Sequence, residues 1–125
     1  MTIAAWVFVA LAGLLHVYIF LLETVWIDRP AARATFGIRR DDLPVIRPWA
    51  FNQGFYNLFL AIGALLAVWL HARGDETVAR TLGFFACGSM LAAALVLLGY
   101  DRSKAGAALK QGALPALAVA LLLLT

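Results

Sequence analysis

Charge is scarce in this chain of 125 residues. Asp, Glu, Lys and Arg make up 14% of it, and no charged side chain lies between Thr2 and Leu22, between Pro48 and Ala72, or after Lys110. Together with 64% hydrophobic residues and a mean hydropathy of +0.89, these gaps exclude a soluble domain, whose apolar content is ~45–50%. Cysteine is nearly absent. Cys87 stands alone, so no intrachain disulfide can form, and it reads as a small apolar packing residue. There are two histidines, His16 and His71, and neither carries a metal-ligand spacing. No basic stretch interleaves with aromatics, so nucleic acid is excluded as a partner.

What remains is four long runs rich in leucine and alanine: residues 3–26, 49–70, 81–100 and 105–124. Each approaches or exceeds the ~20 residues that carry a helix across the hydrocarbon core. Short connections leave no room for a separate soluble domain. The expectation is one all-α domain over residues 1–125, an integral membrane four-helix bundle whose main partner is the lipid bilayer. The first run has no basic residue ahead of it and is too long for a cleaved apolar segment, so it reads as a retained span.

Charge also orients the chain. Loop 1 holds Arg29, Arg33, Arg39, Arg40 and Arg47, and loop 3 holds Arg102 and Lys104, against Arg73 and Arg80 in loop 2. Basic residues in short loops mark the cytoplasmic side. Loops 1 and 3 are therefore expected in the cytoplasm, with both termini outside, in a multi-pass protein of a bacterial inner membrane. Within loop 1, Pro30 stops the first span, "AARATF" reads as a short surface helix, and Gly37 suits its end. Pro48 fits the first turn of the second span, where a missing N–H is harmless.

Polar residues inside the spans are few and gather at one level. His16 falls near the middle of the first span, with Glu23 one or two turns from its cytoplasmic end. Seven residues set them ~20° apart around the axis and ~10 Å along it, on one face. Asn52, Gln53, Tyr56 and Asn57 form a stripe at the cytoplasmic start of the second span, and Gln111 enters the fourth at the same depth. Unpaired amides and carboxyls in hydrocarbon cost several kcal/mol, so these groups should face each other. Intramembrane acids commonly face a bundle interior or a wet cavity, which makes Glu23 the leading site residue. Trp26, Trp49 and Tyr100 read as interfacial aromatics, His71 and Trp69 as a belt or loop pair, and Lys110 as a side chain reaching the surface.

Small residues supply packing signals. Gly112, Ala116 and Ala120, and Gly88 with Ala92, recur at four-residue spacing and serve either intrachain contacts or a homo-oligomer seam. Pro115 frees a carbonyl near Gln111. "NQGFYNLFLA" and "KQGALPALAV" share Gln-Gly at similar depth, a faint sign that two hairpins repeat.

"LHVYIFLLE" with His16, Tyr18 and Glu23, then Phe36 and Gly37, "NQGFYN" and "QGALPAL" follow in an order that resembles the DUF1304 family of small bacterial integral membrane proteins. The resemblance covers nearly the whole chain. It implies a four-span membrane protein and supports grouping His16, Glu23, Asn52, Gln53, Tyr56, Asn57 and Gln111 as one signature. It implies no substrate.

Three functions remain open on the residues. The first is a membrane-embedded protein that binds a small amphipathic or lipophilic ligand through those seven residues, extending to a proton-coupled transporter with Glu23 as the titrating group. The second is an intramembrane isomerase or hydrolase with His16 and Glu23 as catalytic acid and base. The third is an accessory subunit whose polar layer only specifies helix pairing. No cofactor is implied; a haem on His16 is a minor branch.

Overall fold

In an apolar medium a backbone has no partner but itself, so the charge-free runs coil into helices. The computed structural model describes residues 1–125. It contains α1 (Thr2–Glu23), α2 (Pro30–Phe36), α3 (Leu43–Ala72), α4 (Glu76–Tyr100) and α5 (Ala105–Leu124), with 3-10 turns at Arg40–Asp42 and Arg102–Lys104. All but α2 are long and apolar enough to cross a membrane. The chain is an all-α four-helix membrane bundle. Helix α1 packs on α3 and α5, α4 packs on the same two, and α1 and α4 stand on a diagonal.

Three helix ends differ from the sequence expectation. Helix α1 stops at Glu23 rather than Trp26, because Thr24 leaves helical geometry and its hydroxyl donates to the Phe20 carbonyl at 2.7 Å. Glu23 is thus the last residue of α1. Helix α3 starts at Leu43, with Pro44 in the first turn and Pro48 a turn further on. The bond that Pro48 removes would have gone to the carbonyl of Pro44, an exposed residue. Helix α4 starts at Glu76 rather than Thr81, capped by the Asp75 side chain, which accepts from the Val78 amide.

Loop 1 carries its short helix as α2, ended by Gly37 at φ 66°, a conformation that suits glycine. The Lys104 ammonium donates to the Phe36 carbonyl at 3.0 Å, tying α2 to the start of α5. An ion pair between Arg47 and Asp28 ties the same loop to α3.

The bundle has a packed half and an open half. Toward the termini and loop 2, Trp6, Val9, Ala12, Ala64, Ala67, Ala79, Ala86, Cys87, Ala118 and Leu122 form a buried core, with Met90 at its inner edge. Alanine dominates it, so the backbones themselves come close. At this end His71 stacks on Trp6, ring centroids 4.5 Å apart, and pairs with Glu76, while Arg80 donates to the Leu122 carbonyl at 2.7 Å. At the opposite end a smaller cluster of Ile27, Leu43 and Ala50 lies beneath loop 1. Between the two clusters the helices part.

Both Gln-Gly pairs mark close helix crossings. A methyl on Gly54 would lie 2.7 Å from Thr24 Cγ2 and 3.2 Å from Glu23 Cβ, and one on Gly112 would lie 2.7 Å from Ala94 Cβ. The first pins α3 to α1, the second α5 to α4. Of the small-residue stripes, Gly112 therefore serves an intrachain contact. Gly88 meets nothing within 4 Å, and Ala92 faces outward.

Candidate functional site

The parting helices enclose a cleft of about 560 Å³ at the end of the bundle that carries loops 1 and 3. Each wall follows from helix periodicity. Helix α1 supplies His16 and Glu23, seven residues apart on one face. Helix α3 supplies Gln53, Tyr56, Asn57 and Leu60, and α5 supplies Gln111 two turns from its start. Helix α4 faces them with Met90, Ala93, Val96, Leu97 and Tyr100, and Phe36 of α2 closes the loop end.

Six of the seven predicted side chains therefore meet at one cavity. Asn52 does not. It points into a neighbouring recess of about 360 Å³ with Ile38, Ile46 and Trp49, because one residue along α3 turns a side chain ~100° away from Gln53. Glu23, Gln53 and Phe36 border both spaces, so Glu23 and Phe36 form part of the partition.

Two hydrogen bonds fix the polarity of the site. Asn57 Nδ2 donates to Glu23 Oε1, joining α3 to the end of α1. Only an N–H can bond a carbonyl, so the 2.9 Å contact between His16 Nδ1 and the Ala12 carbonyl places the ring proton on Nδ1. The neutral His16 ring then offers a bare Nε2, which has no protein partner. His16 is 2% exposed and Glu23 9%. No Lys or Arg side chain lines the cleft, and Glu23 takes part in no ion pair. Gln53, Gln111 and Tyr56 make no hydrogen bond to protein through their side chains; their polar atoms are free for whatever enters.

A family model described as "Protein of unknown function (DUF1304)" matches residues 10–123. The chain belongs to the DUF1304 family. No curated protein and no solved structure gives a match, so the chemistry of this DUF1304 protein has to be read from its cleft.

Seven cleft residues escaped the sequence reading of a site: the apolar Leu60, Met90, Ala93, Val96 and Leu97, and the aromatic Phe36 and Tyr100. Phe36 had signalled only through the family pattern, and its place depends on Lys104, 68 residues away, holding its carbonyl. Tyr100 is 91% exposed, as an interfacial aromatic should be, and also stands at the rim. Lys110 is exposed in a shallow hollow beside Lys104 and lies outside the DUF1304 cleft. No three metal-ligand side chains converge anywhere in the chain.

Proposed function

We propose that this multi-pass membrane protein binds a small amphipathic molecule in the cleft centred on Glu23. One observation carries the reading: side chains from three helices converge with acceptors and amides that the protein leaves unpartnered. A layer that served only helix pairing would satisfy its own groups, since open polar atoms at this depth bring no stability. The lining supports an amphipathic guest, with Glu23, His16 and the glutamines against Leu60, Met90, Val96 and Leu97.

Proton-coupled transport extends this reading. The alanine-rich core closes the route toward loop 2 in this conformation, so transport would require α3 and α4 to close over the ligand while the packed half opens. An acid-base enzyme is the second reading, favoured by the bare Nε2 of His16 in the same cleft as a carboxylate. The excess of Lys and Arg in loops 1 and 3 supports a cytoplasmic position for the cleft mouth.

Native mass spectrometry of gently purified protein tests binding. A defined small molecule should accompany the wild type and be lost from folded Glu23→Gln. Bulk lipid alone on both forms would leave helix pairing as the better account. An absorption spectrum of the same samples tests the haem branch.

A further inference from the structure

The cleft is not closed on all sides. Helices α3 and α4 touch where Gly63 faces Ala86, with a methyl on Gly63 3.6 Å from the Ala86 Cβ. Beyond that contact they separate. Tyr56 on α3 and Val96 on α4 line the cleft, yet they are 59% and 70% exposed, so the wall is open at both. Residues that face both a cavity and the bundle exterior are the jambs of an opening. The exposed Ala93 lies seven residues inside the end of α4, so along that helix the opening runs ~10 Å into a hydrocarbon core of ~30 Å. It faces lipid tails rather than water.

The head group that fits is set by what the site lacks. Glu23 has one neutral donor, Asn57, and no cation. The Lys104 ammonium, at the same end of the bundle, is bonded to the Phe36 carbonyl. His16 Nε2 is a second acceptor. A carboxylate in a largely apolar cleft with a single neutral partner is under-compensated; a proton or a ligand cation completes it, and an ammonium supplies charge and N–H donor together.

We infer that the cleft takes up a single-chain amphiphile with a protonated amine head, which enters sideways from the leaflet between α3 and α4. The ammonium donates to Glu23, a further N–H turns toward His16 or a glutamine oxygen, and the tail leaves past Tyr56 and Val96 into the bilayer. This inference rests on the binding reading of the same cleft and adds the route and the head.

Photo-crosslinking tests both additions. Chain-diazirine forms of dodecylamine, dodecanol and dodecanoate are offered to the protein in nanodiscs, and labelled peptides are mapped. The amine should label the Tyr56 and Val96 peptides about tenfold above the alcohol, the margin of a charge-assisted hydrogen bond over a neutral one. Folded Glu23→Gln should bring the amine down to the alcohol's level. Val96→Trp fills the opening and should suppress labelling, whereas Leu95→Trp, on the lipid-exposed side of α4 away from the cleft, should not. Circular dichroism and monodisperse elution establish that each variant folds.

Equal labelling by alcohol or carboxylate would overturn the head while binding in the cleft stood. Full labelling of Val96→Trp would overturn the sideways route alone. If no probe labels the cleft while native mass spectrometry still finds a bound molecule, the amphiphile is wrong and the binding reading survives. If neither experiment finds a ligand, both fall.

Discussion

Adding one methyl at Gly54 should loosen the wall of the cleft, and the structure says by how much. An alanine there gains up to ~1 kcal/mol of helix preference over glycine. Its methyl would also lie 2.7 Å from Thr24 Cγ2, 3.2 Å from Glu23 Cβ and 3.3 Å from the Phe20 carbonyl. Overpacking of that kind costs ~1–3 kcal/mol. Gly88→Ala provides the reference, because its methyl meets nothing within 4 Å and only the helix gain applies. The two alanine variants should therefore differ by ~1–3 kcal/mol in reversible unfolding in mixed micelles. Thr24→Ser deletes the nearest obstacle and keeps the hydroxyl that bonds the Phe20 carbonyl, so the double variant Gly54→Ala, Thr24→Ser should recover most of the difference. Equal stabilities for Gly54→Ala and Gly88→Ala, or no recovery with Thr24→Ser, would refute the close crossing of α1 and α3.

Asn57→Leu removes the donor to Glu23 and should destabilise the bundle by ~1–3 kcal/mol, read by the same unfolding measurement; pairing it with Glu23→Leu should return part of that loss. Lys104→Met frees the Phe36 carbonyl, and amide exchange in residues 30–36 should accelerate about tenfold, while exchange in the core of α4 stays unchanged. The hydroxyl and amide of Ser103, both donating to Asp101, hold that exposed carboxyl below its usual range. A depressed value in the folded state means a stabilising contribution above about pH 4 that fades as pH falls through the folded midpoint. In Ser103→Ala the Asp101 midpoint seen by carbon-13 NMR should move upward. For orientation, single cysteines at Thr35, Asp75 and Ser103 in a Cys87→Ala background should separate with an impermeant maleimide on intact cells: Asp75→Cys reacts directly, and the other two only after permeabilisation.

The spans and the polar layer were legible because both follow from period and depth. His16 and Glu23 share a face at seven-residue spacing in any straight helix, and Gln53, Tyr56, Asn57 and Gln111 lie at matching depth whatever the packing. Gly37 announced its turn for an equally local reason. The end of α1 was less visible, since it hangs on the Thr24 hydroxyl returning to the Phe20 carbonyl, an option open to any threonine in a helix. The early start of α3 was hidden by Pro48, which normally argues for a boundary and here sits where its missing bond would have served an exposed residue. Asn52 was assigned with its neighbours by depth alone; rotation about the axis carries it into the adjoining recess. The share of Phe36 and Tyr100 in the cleft, and the gap between α3 and α4, are tertiary facts. They depend on how far two helices diverge, which no single segment encodes.

That divergence has a mechanical side. Helices α3 and α4 are joined by a turn of three residues, Arg73 to Asp75, with Gly74 at φ 89°. Tyr56 stands seven residues beyond the contact of Gly63 with Ala86, a lever of ~10 Å. A change of ~10° at that contact would move Tyr56 by ~2 Å relative to α4 on that lever, comparable to the radius of a methylene chain. On such a lever the pair would act as tongs that pivot inside the bilayer and grip near one face, so a thinning of the bilayer would be felt as a wider or narrower bite around whatever lies between Tyr56 and Val96.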